Sequence, residues 1–190
     1  MIIVGIDEVG RGCWAGPLVA GAVVLREPIP GLKDSKKLTK KQRETLAVAI
    51  EKEALAIGLG WVWPQDIDIS GITMAVKSAM ELALEAIAIP YDQVIIDGNI
   101  NYLAEIPHTE CLIKADDKVP AVSAASIMAK VARDSYMATT AAGNYPEYGF
   151  DKHVGYGTAV HIAALATYGV TPLHRQSYKP IQQLVLKSKS

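Results

Sequence analysis

Two cysteines are all that this 190-residue chain contains, Cys13 and Cys111, far apart and in no C-x-x-C pattern. That argues against a structural zinc site or a disulfide framework and fits a reducing compartment. No apolar run approaches the roughly 18 residues of a membrane span. The N-terminus has neither the basic flank nor the long apolar stretch of a secretory signal. The expectation is a soluble cytoplasmic protein with no membrane partner. G-x-S-x-G, Walker A and H-E-x-x-H sequences are all missing, so acyl transfer, P-loop nucleotide hydrolysis and zinc proteolysis lack their marks. The four histidines, His108, His153, His161 and His174, are unpaired in sequence, and any one of them is more often structural than catalytic. There are no repeats and no low-complexity tracts. With half of its residues hydrophobic the chain can bury the core of one compact domain.

The net charge of -1 favours no polyanionic partner by itself. It sums unlike regions, however: "KDSKKLTKKQR", from Lys33 to Arg43, holds six basic residues against one Asp. A phosphate backbone would feel that local excess. Thr39 and Gln42 have the spacing of a capping box, which places Lys40 and Lys41 in a first helical turn, where the macrodipole disfavours cations. A purely solvated helix start explains such a run poorly.

Residues 2 to 7 and 18 to 25 read as strands, joined by a link short enough to favour an antiparallel pair. A helix follows, marked by Leu46, Ala49, Ile50 and Ala54, and "AIGLGWVW" resumes strand character until Pro64. Ile72, Ala75, Val76, Ala79, Ala83 and Ile87 mark a second amphipathic helix before the strand "QVIID". "ECLIKAD" reads as another strand and "VSAASIMAKVARDSYM" as another helix. "GNYPEYGFDKHVGYGT" is a Gly- and Tyr-rich loop, and a last helix runs from Thr158 to Gly169. The fold class is therefore α/β, a mixed central sheet flanked by helices with a C-terminal helical extension. The texture divides into a core, residues 1–142, and a loop with the C-terminal helical region, residues 143–190, in the same compact domain.

Three strands end in acid: Asp7 with Glu8, Asp97, and Asp116. If they run parallel, four carboxylates meet at one rim of the sheet, where α/β ligands usually bind. A single Asp after a strand is commonly a turn cap. Two adjacent acids exceed what capping needs, and like charges in a poorly solvated place destabilise each other. A set of hard oxygen donors suits Mg2+ or Mn2+, and two such ions clamp the attacking and leaving oxygens of a displacement at phosphorus. Setting these four charges aside leaves the rest of the chain at about +3, the sign a phosphate-bearing substrate requires. Gly10, Gly12 and Ala15 formally match a dinucleotide fingerprint, but the acids upstream would repel a pyrophosphate and a strand follows instead of a helix.

These stretches also carry a family resemblance. "GIDEVGRGCWAGPLVAGAVVL", "LKDSKKL", "IIDGN", "KADDKVPAVSAASIMAKVARD", "YGFDKHVGYGT" and "HRQSYKPI" resemble, in order and spacing, bacterial ribonuclease HII, from Gly5 to Ile181. Gly-Arg-Gly after the acidic pair looks like type HII and not the Gly-Lys-Gly of type HIII. The resemblance implies a ribonuclease H-like fold, cutting of the RNA strand of RNA–DNA hybrids, and incision 5′ of single ribonucleotides in duplex DNA. It implies 5′-phosphate and 3′-hydroxyl ends and a role in removing ribonucleotides and RNA primers. Asp7, Glu8, Asp97 and Asp116 fall on the family's catalytic and metal-binding acids, with two Mn2+ or Mg2+ ions as cofactors. Gly10, Arg11 and Gly12 fall on its ribose-reading loop and Tyr156 on its junction-reading tyrosine. Ser35, Lys36 and Lys37 complete the substrate-binding set. The expected state is a monomer, and Gln183 to Leu186 resemble the short peptides that dock on sliding clamps, although a last apolar turn packed on the core explains them too.

Some positions depart from the pattern. Cys13 and Trp14 stand where the family usually shows Pro and Leu, "DISGITMA" lacks an Asn often found there, and Ala115 replaces a frequent Gly. A type HIII-like enzyme, another ribonuclease H-like nuclease or transposase, and a catalytically silent nucleic-acid-binding module are the alternatives. The last would be favoured by loss of one acid, and all four are present.

Overall fold

β1 (Ile3–Val9) is the middle strand of a five-stranded mixed sheet in a computed structural model that describes residues 1–187, with side chains to residue 185. The strand order is β3-β2-β1-β4-β5, with β2 at Leu18–Leu25, β3 at Ala54–Val62, β4 at Gln93–Asp97 and β5 at Thr109–Leu112. β1 runs antiparallel to β2 and parallel to β4, and β4 parallel to β5. The three strands expected to share a direction therefore do.

The helices follow from local signals. α1 (Lys40–Glu53) starts at the capping box: Gln42 N–H donates to Thr39 Oγ1 at 3.3 Å and Thr39 N–H donates to Gln42 Oε1 at 2.9 Å. No acid stands in its first turn, so the helix dipole does not account for Lys40 and Lys41. α1 stops at Glu53, and Ala54 already belongs to β3. α2 (Pro64–Ser70), with Pro64 at its first position, was not expected; seven residues are too few to display a helical period. α3 (Ile72–Glu85) and α4 (Pro120–Tyr136) match their periodicity.

α4 lies against β1 and β2 where Gly5 and Gly21 stand; a methyl on either would overlap the α4 backbone at Ala121 or Ala125. Small residues let this helix close on the strand that carries the acidic pair.

"ECLIKAD" is not strand throughout. β5 ends at Leu112, Lys114 takes a left-handed conformation (φ 57°), and Asp116 sits in a 3-10 turn, Ala115–Asp117. Beyond α4 come a π-helical turn (Met137–Ala141), the short α5 (Ala142–Asn144) and α6 (Phe150–His153), then α7 (Ala159–Tyr168) and α8 (Lys179–Lys187). Thr158 and Gly169 cap α7 as expected.

The chain packs as two compact units. One holds Met1–Val9, Val19–Trp61 and Val76–Val131; the other holds Gly10–Leu18, Val62–Ala75 and the described residues from Ala132 on. Val23, Ile50, Ala124 and Ile127 belong to the core of the first. Met137, Tyr148, Phe150, Leu165 and Ile181 belong to the core of the second. Among the described residues no helix is long and apolar enough to cross a membrane.

Candidate active site

In the first unit, the β1–β4 register pairs Ile6 with Ile96, so the next residues along the two parallel strands are Asp7 and Asp97. The turn after β5 brings in Asp116. One carboxylate oxygen from each of the three lies within 4.8 Å of the others, the only such cluster among the described residues. Glu8 is not part of this trio.

Hydrogen bonds hold the trio in place. Ala115 N–H donates to Asp97 Oδ1 at 2.7 Å, so one acid anchors the turn that presents another. Glu8 N–H donates to Asp7 Oδ1 at 2.8 Å. The Ser126 side chain also hydrogen-bonds to Asp7, and Ser126 Oγ lies 2.9 Å from Ser35 Oγ. Ser35 is thus buried, and its hydroxyl is engaged by Ser126.

Burial, then the neighbouring Glu8 charge, then Asp97, push the Asp7 carboxyl well above its ordinary pKa. Asp116 is raised by burial and by Asp97, Asp34 and Asp117, with Lys36 acting against them. Desolvated carboxylates that repel one another are costly unless a cation neutralises them. Oxygen-only donors at this spacing, without thiolate or imidazole, fit a hard divalent cation.

The basic segment is built rather than loose. Asp34 caps the turn Ser35–Lys37 by accepting from Lys36 N–H at 2.9 Å, and Arg43 Nη1 donates to the carbonyls of Ser35 and Leu38 at 3.0 and 2.6 Å. Lys36 and Lys37 are exposed, and Lys37 Nζ is ion-paired with Asp117 at 2.6 Å. Arg43 and Ser126, absent from the sequence-based site, are the residues that hold Ser35 and its turn.

In the second unit, Gly10 has φ +94°, and a Cβ there would come within 2.5 Å of Arg133 Nε and 2.9 Å of the Pro17 carbonyl. Its glycine is demanded by internal packing. Gly12 faces open space, and there a backbone approach is unobstructed. Arg11 is exposed, with its carbonyl accepting from Arg175 Nη1 at 3.1 Å and Tyr178 Oη at 2.5 Å. Arg133, fully buried, donates to the carbonyls of Pro17, Val154 and Ala15. Nothing local in the sequence marks Arg133 as a loop scaffold; Arg175 lies in the quoted "HRQSYKPI". Tyr156 is 40% exposed, its hydroxyl is hydrogen-bonded to the Cys13 thiol, and burial first, then Cys13, pushes its pKa up to about 12.

The sequence profile described as Ribonuclease HII matches residues 4–181. The chain belongs to the ribonuclease HII family. It is 44% identical to the ribonuclease HII of Dichelobacter nodosus over 191 aligned positions, covering 99% of this chain and 100% of that one. The crystal structure of the ribonuclease H2 from Pyrococcus horikoshii superposes with a TM-score of 0.85 at 27% identity, covering all of both chains. The ribonuclease HII of Archaeoglobus fulgidus, solved as a complex with PCNA, superposes at 0.78 with 27% identity, covering 94% of this chain and 96% of that one. The fold is accordingly ribonuclease H-like, and membership of the ribonuclease HII family makes the protein a hydrolytic, metal-dependent endoribonuclease acting on RNA–DNA substrates. Among the departures from the ribonuclease HII pattern, Ala115 is easily accommodated, because the left-handed residue of its turn is Lys114. Trp14 is not neutral: its ring fills the space where a Cβ on Gly157 would go.

Proposed function

We propose that this enzyme incises duplex DNA 5′ of single embedded ribonucleotides, as well as cutting the RNA strand of hybrids, and leaves 5′-phosphate and 3′-hydroxyl ends. The observation that carries the reading is the convergence of Asp7, Asp97 and Asp116, the first and last buried and Asp97 half-buried, whose like charges raise the Asp7 and Asp116 pKa values. Asp7, Glu8, Asp97 and Asp116 are the residues proposed to hold two Mg2+ or Mn2+ ions. Such ions would activate the attacking water and neutralise charge developing at the phosphate.

The chain's own groups do the reading. Gly12, open to solvent, lets backbone atoms approach a ribose 2′-hydroxyl, which separates RNA from DNA, and Arg11 beside it suits the neighbouring phosphate. The partly exposed Tyr156 ring suits stacking on the next, deoxy sugar, where a second 2′-hydroxyl would intrude. Lys36 and Lys37 add phosphate contacts that carry no sequence information. Two free cysteines support a reducing, cytoplasmic setting, and a monomer is the proposed working state.

The test is a gel assay on duplex DNA carrying one ribonucleotide, with and without divalent metal, followed by polymerase extension of the product. Metal-dependent cutting on the 5′ side with an extendable 3′ end supports the reading. Cutting of continuous hybrid alone would overturn it.

A sliding-clamp contact through Gln183 to Leu186 is a second reading, favoured by the PCNA complex of the Archaeoglobus relative. Gln183 is exposed, whereas Leu184 and Val185 are half-buried and pack on the second unit's core; the Leu186 side chain lies outside the described residues. Unchanged clamp pull-down after deleting residues 182–190 would dispose of it.

A further inference from the structure

Three of the four histidines that looked unrelated in the sequence meet in the second unit. His161 and His174 are 0% and 1% exposed, and His153 stacks on His161 with ring centroids 4.5 Å apart. Buried imidazoles are worth explaining, because an aliphatic side chain would fill the same space without polar atoms to satisfy.

Their hydrogen bonds admit one direction. Thr171 N–H can only donate, and it reaches His174 Nδ1 at 2.8 Å, so the His174 proton sits on Nε2. That atom faces His161 Nε2 at 3.0 Å, which must then accept. The His161 proton is left on Nδ1, 2.9 Å from the carbonyl of Tyr156, an acceptor. Every ring nitrogen of the pair is satisfied, both rings are neutral, and the series ends on the backbone of the residue assigned to junction reading. Burial pushes both pKa values down to about 4, in keeping with neutral rings.

The next residue reaches the other reader. Arg175 N–H donates to the Trp14 carbonyl at 2.8 Å, and its guanidinium donates to the carbonyls of Gly16 and Arg11. Arg175 is fully buried, and its side-chain partners are these carbonyls and the Tyr178 hydroxyl. Two consecutive buried residues thus support the two loops that bear Arg11 and Tyr156.

We propose that His174 and His161 are positioning residues for ribonucleotide recognition: the relay fixes the Tyr156 carbonyl, and with it the ring, while Arg175 fixes the Arg11 loop from the same segment. The proposal rests on the reading of Tyr156 given above.

The experiment measures kcat/KM on a duplex with one ribonucleotide and on a continuous hybrid, with thermal melts as a check on folding. Variants are Tyr156→Ala, His161→Leu, His161→Asn and the double variant Tyr156→Ala with His161→Leu. His161→Leu is expected to lower the preference for the single ribonucleotide by about three- to tenfold, the range one lost hydrogen bond covers. His161→Asn, which keeps an N–H donor, retains most of the preference, and His161→Leu adds nothing to Tyr156→Ala. An equal fall on both substrates, or a further loss of preference in the double variant, overturns the relay. If Tyr156→Ala itself leaves the preference unchanged, the assignment of Tyr156 fails, and the relay's purpose with it. A readout needing no variant is the histidine nitrogen NMR spectrum of the wild-type enzyme: His161 is expected as the Nδ1–H form and His174 as the Nε2–H form. The reverse pattern, or a charged ring at pH 7, overturns the proposal even where His161→Leu fails to fold.

Discussion

Lys37 gives its ammonium to both carboxylate oxygens of Asp117, at 2.7 and 2.6 Å, and Asp117 is the residue after Asp116. The hydrogen bond raises the Lys37 pKa and lowers that of Asp117. A phosphate approaching Lys37 must therefore compete with a carboxylate already in place. Lys36, on the same turn, opposes the upward shift of Asp116 and carries the less encumbered charge.

Lys36→Ala is expected to weaken hybrid binding across sequences and to reduce the slope of log affinity against log salt by about 1, as one lost phosphate contact should. Lys37→Ala should change the slope less, and Asp117→Asn should tighten binding by releasing the ammonium. Affinities measured from low to moderate salt check this. An unchanged slope for Lys36→Ala makes the run a solvated face.

Asp7→Asn and Asp97→Asn are each expected to abolish cleavage while hybrid binding persists, since the phosphate contacts come from other residues. In Asp97→Asn the new amide oxygen can still accept from the Ala115 N–H, so the turn should survive that change. Added Mg2+ should raise the wild-type melting temperature, because a ligand bound only by the folded chain stabilises it, and should not raise that of Asp7→Asn. Near wild-type turnover by either variant at saturating Mg2+ removes the residue from the site.

What could be read in the sequence was local. The capping box of Thr39 and Gln42, the short antiparallel link and the caps of α7 are set by residues a few positions apart, and each occurs as expected. Asp7 and Asp97 were legible because parallel strands end on one edge. Asp116 was placed at a strand end because a left-handed Lys114 has no signature; Gly or Asn would have announced that turn. Glu8 follows Asp7 on β1 and its charge helps raise the Asp7 pKa, while the three carboxylates that converge are those of Asp7, Asp97 and Asp116. Arg133 and Arg175 bind carbonyls more than a hundred residues away, a relationship no short window contains.

The buried histidines set a pH dependence of stability. In the folded chain His161 and His174 take up protons only near pH 4, against 6.5 when unfolded, so between these values the unfolded chain binds more protons. Their contribution is complete above pH 6.5 and is lost as pH falls toward 4. Asp7, raised in the folded state, acts with the opposite sign, so the informative quantity is a difference between variants. Urea melts from about pH 4.5 to 7.5 are expected to show wild type losing stability on acidification more steeply than His161→Asn, in which one of the two groups is gone. Parallel curves would contradict the neutral, buried pair.

The departure at Trp14 makes the last prediction. Its ring occupies the space beside Gly157, so a methyl there has to displace indole atoms rather than the end of a flexible chain. Overpacking of this kind typically costs about 1–3 kcal/mol. Gly157→Ala is therefore expected to lower the melting temperature in the native background. In a Trp14→Leu background, with the smaller side chain that the family pattern usually has, the same change should cost much less, and the difference between the two costs is the coupling of the double-mutant cycle. The carbonyl of Gly155, which accepts from both Trp14 N–H and Ala15 N–H, keeps its main-chain donors in every variant, so the cycle isolates the ring. Equal costs in both backgrounds would mean that the indole moves aside freely and that Gly157 is required for a reason other than Trp14.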